Sequence, residues 1–233
     1  MKIALFGYGK MGKMIEQIAQ ERGHTIVAKI DDPKQDVDYS SMDVAIDFST
    51  PEAAFDNITN CFTNQVPVIS GTTGWLDRFS QAVRICEENK SAFIYASNFS
   101  LGVNLFFELN KKLAQMMSTV EQYHVSMEEI HHTQKLDAPS GTAITLAEGI
   151  IENSSYENWK LDESDDKTIP IKSIREGMVP GTHTIFYKSP VDTIEIKHEA
   201  HNREGFALGA VIAAEWIQGK TGVFTMKDVL NLS

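Results

Sequence analysis

Cysteine is nearly absent from this chain of 233 residues: Cys61 and Cys86 fall in segments of helical pattern and have neither C-x-x-C nor zinc-ligand spacing. A disulfide framework and a cysteine-built metal centre are therefore excluded, leaving reduced thiols with no assigned chemistry and no call for a metal. Positive charge is also scarce. Lys and Arg number 21 against 32 Asp and Glu, a formal net charge of -11. A phosphate backbone needs a basic surface, so nucleic acid is excluded as a partner, and any anionic ligand must be drawn in by local basic groups. No apolar run reaches the ~20 residues of a membrane span, and there is no internal repeat or low-complexity segment. Met1-Lys2-Ile3-Ala4 leads straight into a glycine turn without the layout of a secretory signal, so a cytoplasmic protein with no membrane partner is expected. What is present is enough apolar material, 42% of residues, for one large or two modest cores.

The most informative stretch runs from Glu129 to Thr142 and places His131, His132, Lys135, Asp137 and Ser140-Gly141-Thr142 within fourteen residues. Tyr123 to Ile130 has strand character, and the polar loop after it closes at Pro139. Ser140 reads as an N-cap, because Thr142 to Ile151 carries apolar residues at helical spacing. The free N–H groups of Gly141 and Thr142 then form a ready site for a carboxylate or phosphate. Lys135 can reach the same site as a point charge, and a histidine can exchange a proton near neutral pH. Adjacent histidines on an extended chain face opposite sides, so at most one of His131 and His132 is the acid, while the other binds or packs. Two anion clamps beside one proton donor suggest a small acidic substrate. The bland alternative is a capped loop with a scattered polar surface.

An independent signal lies at the N-terminus. Lys2 to Phe6 is a short apolar run, Gly7-Tyr8-Gly9-Lys10-Met11-Gly12 follows at once, and Met11 to Arg22 has helical periodicity. Strand, G-x-G-x-x-G and helix in that order are what a dinucleotide fold requires. A second strand, Thr25 to Ile30, ends at Asp31, nineteen residues after Gly12, where an acidic side chain takes the ribose hydroxyls of NAD. A carboxylate there opposes a 2′-phosphate, although Lys10 or Lys34 could offset it. The expected cofactor is NADH or NADPH, with NADH at least as good.

Strand and helix keep alternating through Val44–Phe48, Glu52–Asn64, Val66–Ile69, Asp77–Asn89 and Ala92–Ala96. Loops at the carboxyl ends of parallel strands line the ligand crevice, which puts Gly7, Asp31, Phe48, Gly71 and Asn98 on one sheet edge. After Asn98 the pattern changes: Leu101–Val120 is helical, 152–167 reads as a surface excursion, and strand-like segments follow at 171–175, 182–187 and 193–198. A last, unusually apolar helix, Phe206–Gln218, is expected to return to the first domain. The predicted fold is α/β: a Rossmann-type dinucleotide-binding domain, residues 1–98 with a C-terminal return over 204–233, and a second α+β domain of mixed sheet over 99–203 for substrate binding.

Several motifs occur together and in order: Gly7 to Gly12, Asp47-Phe48-Ser49, Gly71-Thr72-Thr73-Gly74, Ala96-Ser97-Asn98-Phe99-Ser100, Glu129 to Thr142, and Arg175-Glu176-Gly177 to His183-Thr184. On these the chain resembles the 4-hydroxy-tetrahydrodipicolinate reductase family of the diaminopimelate and lysine pathway along nearly its whole length. The resemblance implies that His131 is the proton donor, that Lys135 holds a substrate carboxylate, and that His132 with Ser140, Gly141 and Thr142 completes a dicarboxylate site, with Arg203 as a further contact. It implies cofactor contacts at Gly7, Gly9, Lys10, Met11, Gly12, Asp31 and Phe48, with Gly71, Thr73, Ala96, Asn98 and Phe99 around the nicotinamide. It also implies hydride delivery to C4 of a cyclic dicarboxylate after loss of its 4-hydroxyl, protonation of the resulting enamine, and a homotetramer joined through the second-domain sheets. Three departures stand out: Lys10 where the family usually has arginine, Ser97 where proline is frequent, and a short Asp31 to Met42 connection. Two other readings share the cofactor half, another two-domain small-acid dehydrogenase and a non-enzymatic NAD-sensing module. Neither gives a reason for His-His-x-x-Lys followed by Ser-Gly-Thr.

Overall fold

The computed structural model describes residues 1–32, 35–163 and 165–232, which form two compact units. The first comprises Met1–Asn104 with Glu204–Ser233, and the second Leu105–Arg203. Lys34 lies outside the described residues.

In the first unit, strands β1 (Lys2–Phe6), β2 (Thr25–Ile30), β3 (Val44–Asp47), β4 (Val68–Ser70) and β5 (Ala92–Tyr95) alternate with helices α1 (Lys10–Glu21), α2 (Pro51–Thr63) and α3 (Phe79–Glu88). All pairings are parallel, and the sheet order places β4-β3-β1-β2 side by side. Near-continuous apolar runs follow from burial on both faces. Ile3, Leu5, Val44 and Ile46 pack beneath α1, whereas Ala4, Phe6, Ala45 and Val68 pack beneath α2 and α3.

The C-terminal segment adds helix α6 (Glu204–Trp216), whose Ala207, Ala210, Val211, Ala213 and Ala214 enter the same core as Ile15 and Ala19 of α1. Small residues let it approach closely. A β-carbon at Gly209 would stand 1.7 Å from the Phe99 carbonyl oxygen, so only glycine fits there. Two elements escape the sequence pattern: strand β11 (Gly222–Phe224), which pairs parallel with β5 at the sheet edge, and helix α7 (Met226–Leu230), held by a Thr225–Asp228 capping box. Three and five residues are too few to show a periodicity.

The second unit is a five-stranded mixed sheet. Helix α4 (Leu101–Met117) enters it, followed by β6 (His124–His131), α5 (Gly141–Ile151), β7 (Asn158–Leu161), β8 (Thr168–Arg175), β9 (Gly181–Lys188) and β10 (Thr193–Ala200), in the sheet order β10-β9-β6-β8-β7. β6 runs parallel to β8 and antiparallel to β9. Phe106 and Ala114 of α4, together with Ala143, Leu146, Ala147 and Ile150 of α5, cover Val125, Met127, Ile169, Ile171 and Ile185 on one sheet face. The segment 152–167, expected as a surface excursion, contains the edge strand β7. Among its described residues Tyr156 and Trp159 pack against the core, and the rest are largely polar, so its composition reads as loop.

Candidate active site

At the first sheet edge the chain turns from β1 into α1 through the three glycines. Gly7 has a φ of 87°, a left-handed conformation that favours glycine, and a β-carbon there would stand 2.1 Å from the Phe48 carbonyl oxygen. One at Gly12 would stand 2.4 Å from the Gly7 carbonyl, whereas one at Gly9 would meet nothing within 4 Å. The first and third glycines thus close the turn and seat the helix. The second leaves the α1 N-terminus open to a ligand. Beside it is a cavity of about 270 Å³ lined by Gly7, Gly9, Asp31, Asp32, Phe48 and Ser49 among others. Asp31 Oδ1 accepts the Tyr8 N–H at 3.0 Å, which aims this carboxylate at the glycine turn. Tyr8 is itself pinned by hydrogen bonds with Glu16 and Lys29, and the Lys29 ammonium lies over its ring. Lys10 is exposed, Met11 is half-buried and Gly12 is buried.

Asp47 organises the adjoining loops, a part that sequence reading did not assign to it. Only 1% exposed, it accepts hydrogen bonds from Ser49 Oγ (2.6 Å), Thr72 Oγ1 (2.7 Å), Ser70 Oγ (2.9 Å) and Asn57 Nδ2 (3.3 Å). Burial pushes its carboxyl up, against those four bonds. In the Gly71–Gly74 loop it is therefore Thr72 that anchors, while Thr73 is exposed and Gly71 lies against the Phe48 ring. Phe99 is 2% exposed and packs behind Phe48 at 5.9 Å between ring centres. Asn98 turns its side chain onto the Ser100 N–H, and Ala96 is half-buried.

The second unit gathers a polar cluster at one end of its sheet. Along β6, Val125, Met127, Glu129 and His131 share the buried face, so the apolar row ends in a carboxylate and an imidazole. Sheet register completes it: Glu129 stands opposite Ser173 on β8 and His183 on β9, and His131 stands opposite Arg175. Glu129 Oε1 accepts from Ser173 Oγ (2.9 Å) and Arg175 Nη2 (3.0 Å), and both carboxylate oxygens accept the Ser140 N–H at 3.1 Å. Oε2 faces His131 Nδ1 at 3.5 Å and His183 Nε2 at 3.6 Å. Burial opposes ionisation of Glu129, but the donors from His183, Ser140, Arg175 and Ser173 outweigh it and hold the carboxyl well below the usual carboxylate range. The oxygen and ring nitrogens of Glu129, His131 and His183 lie within 4.8 Å of one another, a spacing that suits a cation. The carboxylate is already committed to a guanidinium, a hydroxyl and a backbone N–H, so the cluster is a hydrogen-bonded network.

Ser140 caps α5 by accepting the Ala143 N–H at 3.2 Å, and its hydroxyl lies 3.1 Å from His183 Nε2. The N–H groups of Gly141 and Thr142 in the first helical turn are left without intrahelical acceptors, beside a loop that turns at a cis Ala138–Pro139 peptide. Lys135 Nζ donates to both oxygens of Asp137 at 2.8 Å. Arg175 Nη2 also donates to the Asp137 carbonyl at 2.6 Å, which ties this loop to the network. His131 is buried and His132 half-buried. Burial, with His183, Lys135 and Arg175 adding to it against Glu129, pushes His131 down to about 4. Arg203 is exposed and takes no part in the Glu129 network. Sequence reading assigned no role to Glu129, Arg175 or His183. The alternation along β6 was the available signal for Glu129, while the other two are recruited by strand register.

Residues 1–99 match the family description "Dihydrodipicolinate reductase, N-terminus", and residues 102–230 match its C-terminal counterpart. A 4-hydroxy-tetrahydrodipicolinate reductase of Christiangramia forsetii is 61% identical over 99% of this chain and 98% of its own length. One from Neisseria gonorrhoeae is 38% identical over 82% of this chain and 73% of its own. Among solved structures, a dipicolinate-bound dihydrodipicolinate reductase from Paenisporosarcina sp. TG-14 is similar with a TM-score of 0.78, covering 97% of each chain at 25% identity.

Proposed function

The chain belongs to the dihydrodipicolinate reductase family, and from that premise we propose how its residues divide the NAD(P)H-dependent reduction of 4-hydroxy-tetrahydrodipicolinate to tetrahydrodipicolinate. It is an oxidoreductase of the lysine and diaminopimelate pathway with a small-molecule substrate. The observation that carries the division is the α5 N-terminus, capped by Ser140 and flanked by Lys135 and His131.

The residues of the first unit suit a dinucleotide: the open turn at Gly9 and the α1 N-terminus take a pyrophosphate, and Asp31 at the cavity mouth takes ribose hydroxyls. When bound, the reduced nicotinamide supplies a hydride. In the second unit, the N–H groups of Gly141 and Thr142 with the Ser140 hydroxyl hold one carboxylate of the substrate. Lys135 exchanges Asp137 for the other, and His132 lines the same loop. This placement orients the ring, which is the larger part of the task. His131 is neutral in the free protein and gains its proton beside the bound dianion, then delivers it to the enamine. The direct test is oxidation of NADH or NADPH that depends on the freshly formed aldolase product of pyruvate and aspartate semialdehyde. Oxidation without that product, or none with it, would sink this reading.

Nucleotide preference follows from Asp31 and its neighbour Asp32, both lining the cavity. A carboxylate at the ribose repels a 2′-phosphate, and NADH is therefore expected to serve at least as well as NADPH. Asp31→Ser removes a hydrogen bond to one cofactor and a repulsion from the other, and should shift the ratio of kcat/KM values about tenfold toward NADPH. An unchanged ratio would move the role to Asp32.

Among the described residues no helix is long and apolar enough to cross a membrane. The face of the second sheet opposite α4 and α5 presents Ser126, Glu128, Pro170, Lys172 and Phe186, and is the surface through which a homotetramer would assemble. Light scattering that returns the mass of a single chain would contradict this.

A further inference from the structure

Buried carboxylates usually have either a cation of their own or neutral donors. Glu129 has both on one oxygen and two titratable rings on the other. Oε1 is held by Ser173 and Arg175, whereas Oε2 faces His131 Nδ1 and His183 Nε2 at 3.5 and 3.6 Å. The Nδ1 atom of His131 is buried and makes no hydrogen bond. It stands 3.5 Å from an anion, beyond a normal hydrogen bond.

We propose that Glu129 is a positioning residue for the proton that His131 delivers: its fixed negative charge beneath the ring stabilises the imidazolium, and its hold on the Ser140 N–H keeps that ring in register with the α5 N-terminus. The inference rests on the assignment of His131 as the acid.

The groups facing His131 come from four directions. Glu129 on β6 favours the charged ring; Arg175 on β8, His183 on β9 and Lys135 in the following loop oppose it. His198 on β10, opposite His183 in register, has its own protonation disfavoured by burial and by His183, so it adds no opposing charge when neutral. Asp137 partly cancels Lys135 by pairing with it. Within this set Glu129 is the one anion in contact with the ring. A dianionic substrate neutralises Lys135 and adds negative charge, which lets the pull of Glu129 prevail in the complex.

The test is kcat against pH in the coupled assay, at saturating cofactor and substrate, for the parent, Glu129→Gln and Arg175→Gln. Because His131 must carry the proton, kcat falls as pH rises through its titration in the complex. Glu129→Gln removes the stabilising anion and should move that fall about one unit to lower pH, with kcat about tenfold lower on the alkaline side. Arg175→Gln removes an opposing cation and should move the fall to higher pH. Opposite movement is the signature, since variants that merely loosen the site would not move the profile in opposite senses. An unmoved profile in Glu129→Gln, or movement of both in one direction, overturns the proposal. If Glu129→Gln does not fold, Arg175→Gln alone decides: a fall that stays in place or moves to lower pH overturns it. His131→Gln tests the underlying assignment. Parental turnover there removes the acid and the proposal together, whereas a crippled His131→Gln beside an unmoved Glu129→Gln removes the proposal alone.

Discussion

Replacing His131 with alanine is expected to lower kcat by about 10² to 10⁴-fold, the usual worth of a positioned general acid, while KM changes little. The ring is almost wholly enclosed, between Glu129, His183 and Gly181. A β-carbon on Gly181 would stand only 3.0 Å from His131 Nε2, so the pocket is shaped closely around the imidazole. Its removal leaves the anion-binding N–H groups of α5 in place, because Ser140 is held by Glu129 independently of His131. The substrate should still bind and fail to turn over. Near-parental kcat would acquit His131 and direct attention to His132 or to a water.

Lys135→Ala should cost about 10²-fold in kcat/KM with the dinucleotide still bound at parental affinity. Two effects act together. The variant loses a charge-assisted bond to a substrate carboxylate, and it strands Asp137, whose carboxylate the ammonium now holds through two 2.8 Å contacts. An unpaired Asp137 would then repel a dicarboxylate, so the double variant Lys135→Ala with Asp137→Asn should recover part of the loss. NADH titration by fluorescence checks the other half: Lys135 belongs to the second unit and the glycine turn to the first. Markedly weaker NADH binding in the single variant would refute that division of labour.

Local chemistry makes much of this protein readable from the chain alone. The apolar runs of β1 and β3, the glycines at 7, 9 and 12, and the amphipathic faces of α1 and α3 are signals that neighbouring residues generate by themselves, and they suffice for a parallel sheet with a dinucleotide turn. Ser140 was legible as a cap for the same reason: a hydroxyl before an apolar helical pattern has few other uses. The polar run was legible too, because His131, Lys135 and Ser140 lie within one short segment.

Partnership between distant residues was decided only by the tertiary structure. Glu129 is an acidic residue in a strand until register sets it between Ser173 and His183, more than forty residues away on either neighbour. Asp47 is a strand-end carboxylate until Ser70 and Thr72 close over it, and the short β11 has no pattern to recognise before it finds β5. Phe99 is one residue of the Ala96 to Ser100 motif until folding buries its ring behind Phe48 and the glycine at 209 lets α6 press onto its carbonyl. Periodicity and capping depend on residues a few positions apart and are written along the chain. The charge state of a buried carboxylate or imidazole depends on whatever folding brings within about 4 Å of it, and that distance is set by sheet register rather than by spacing in sequence.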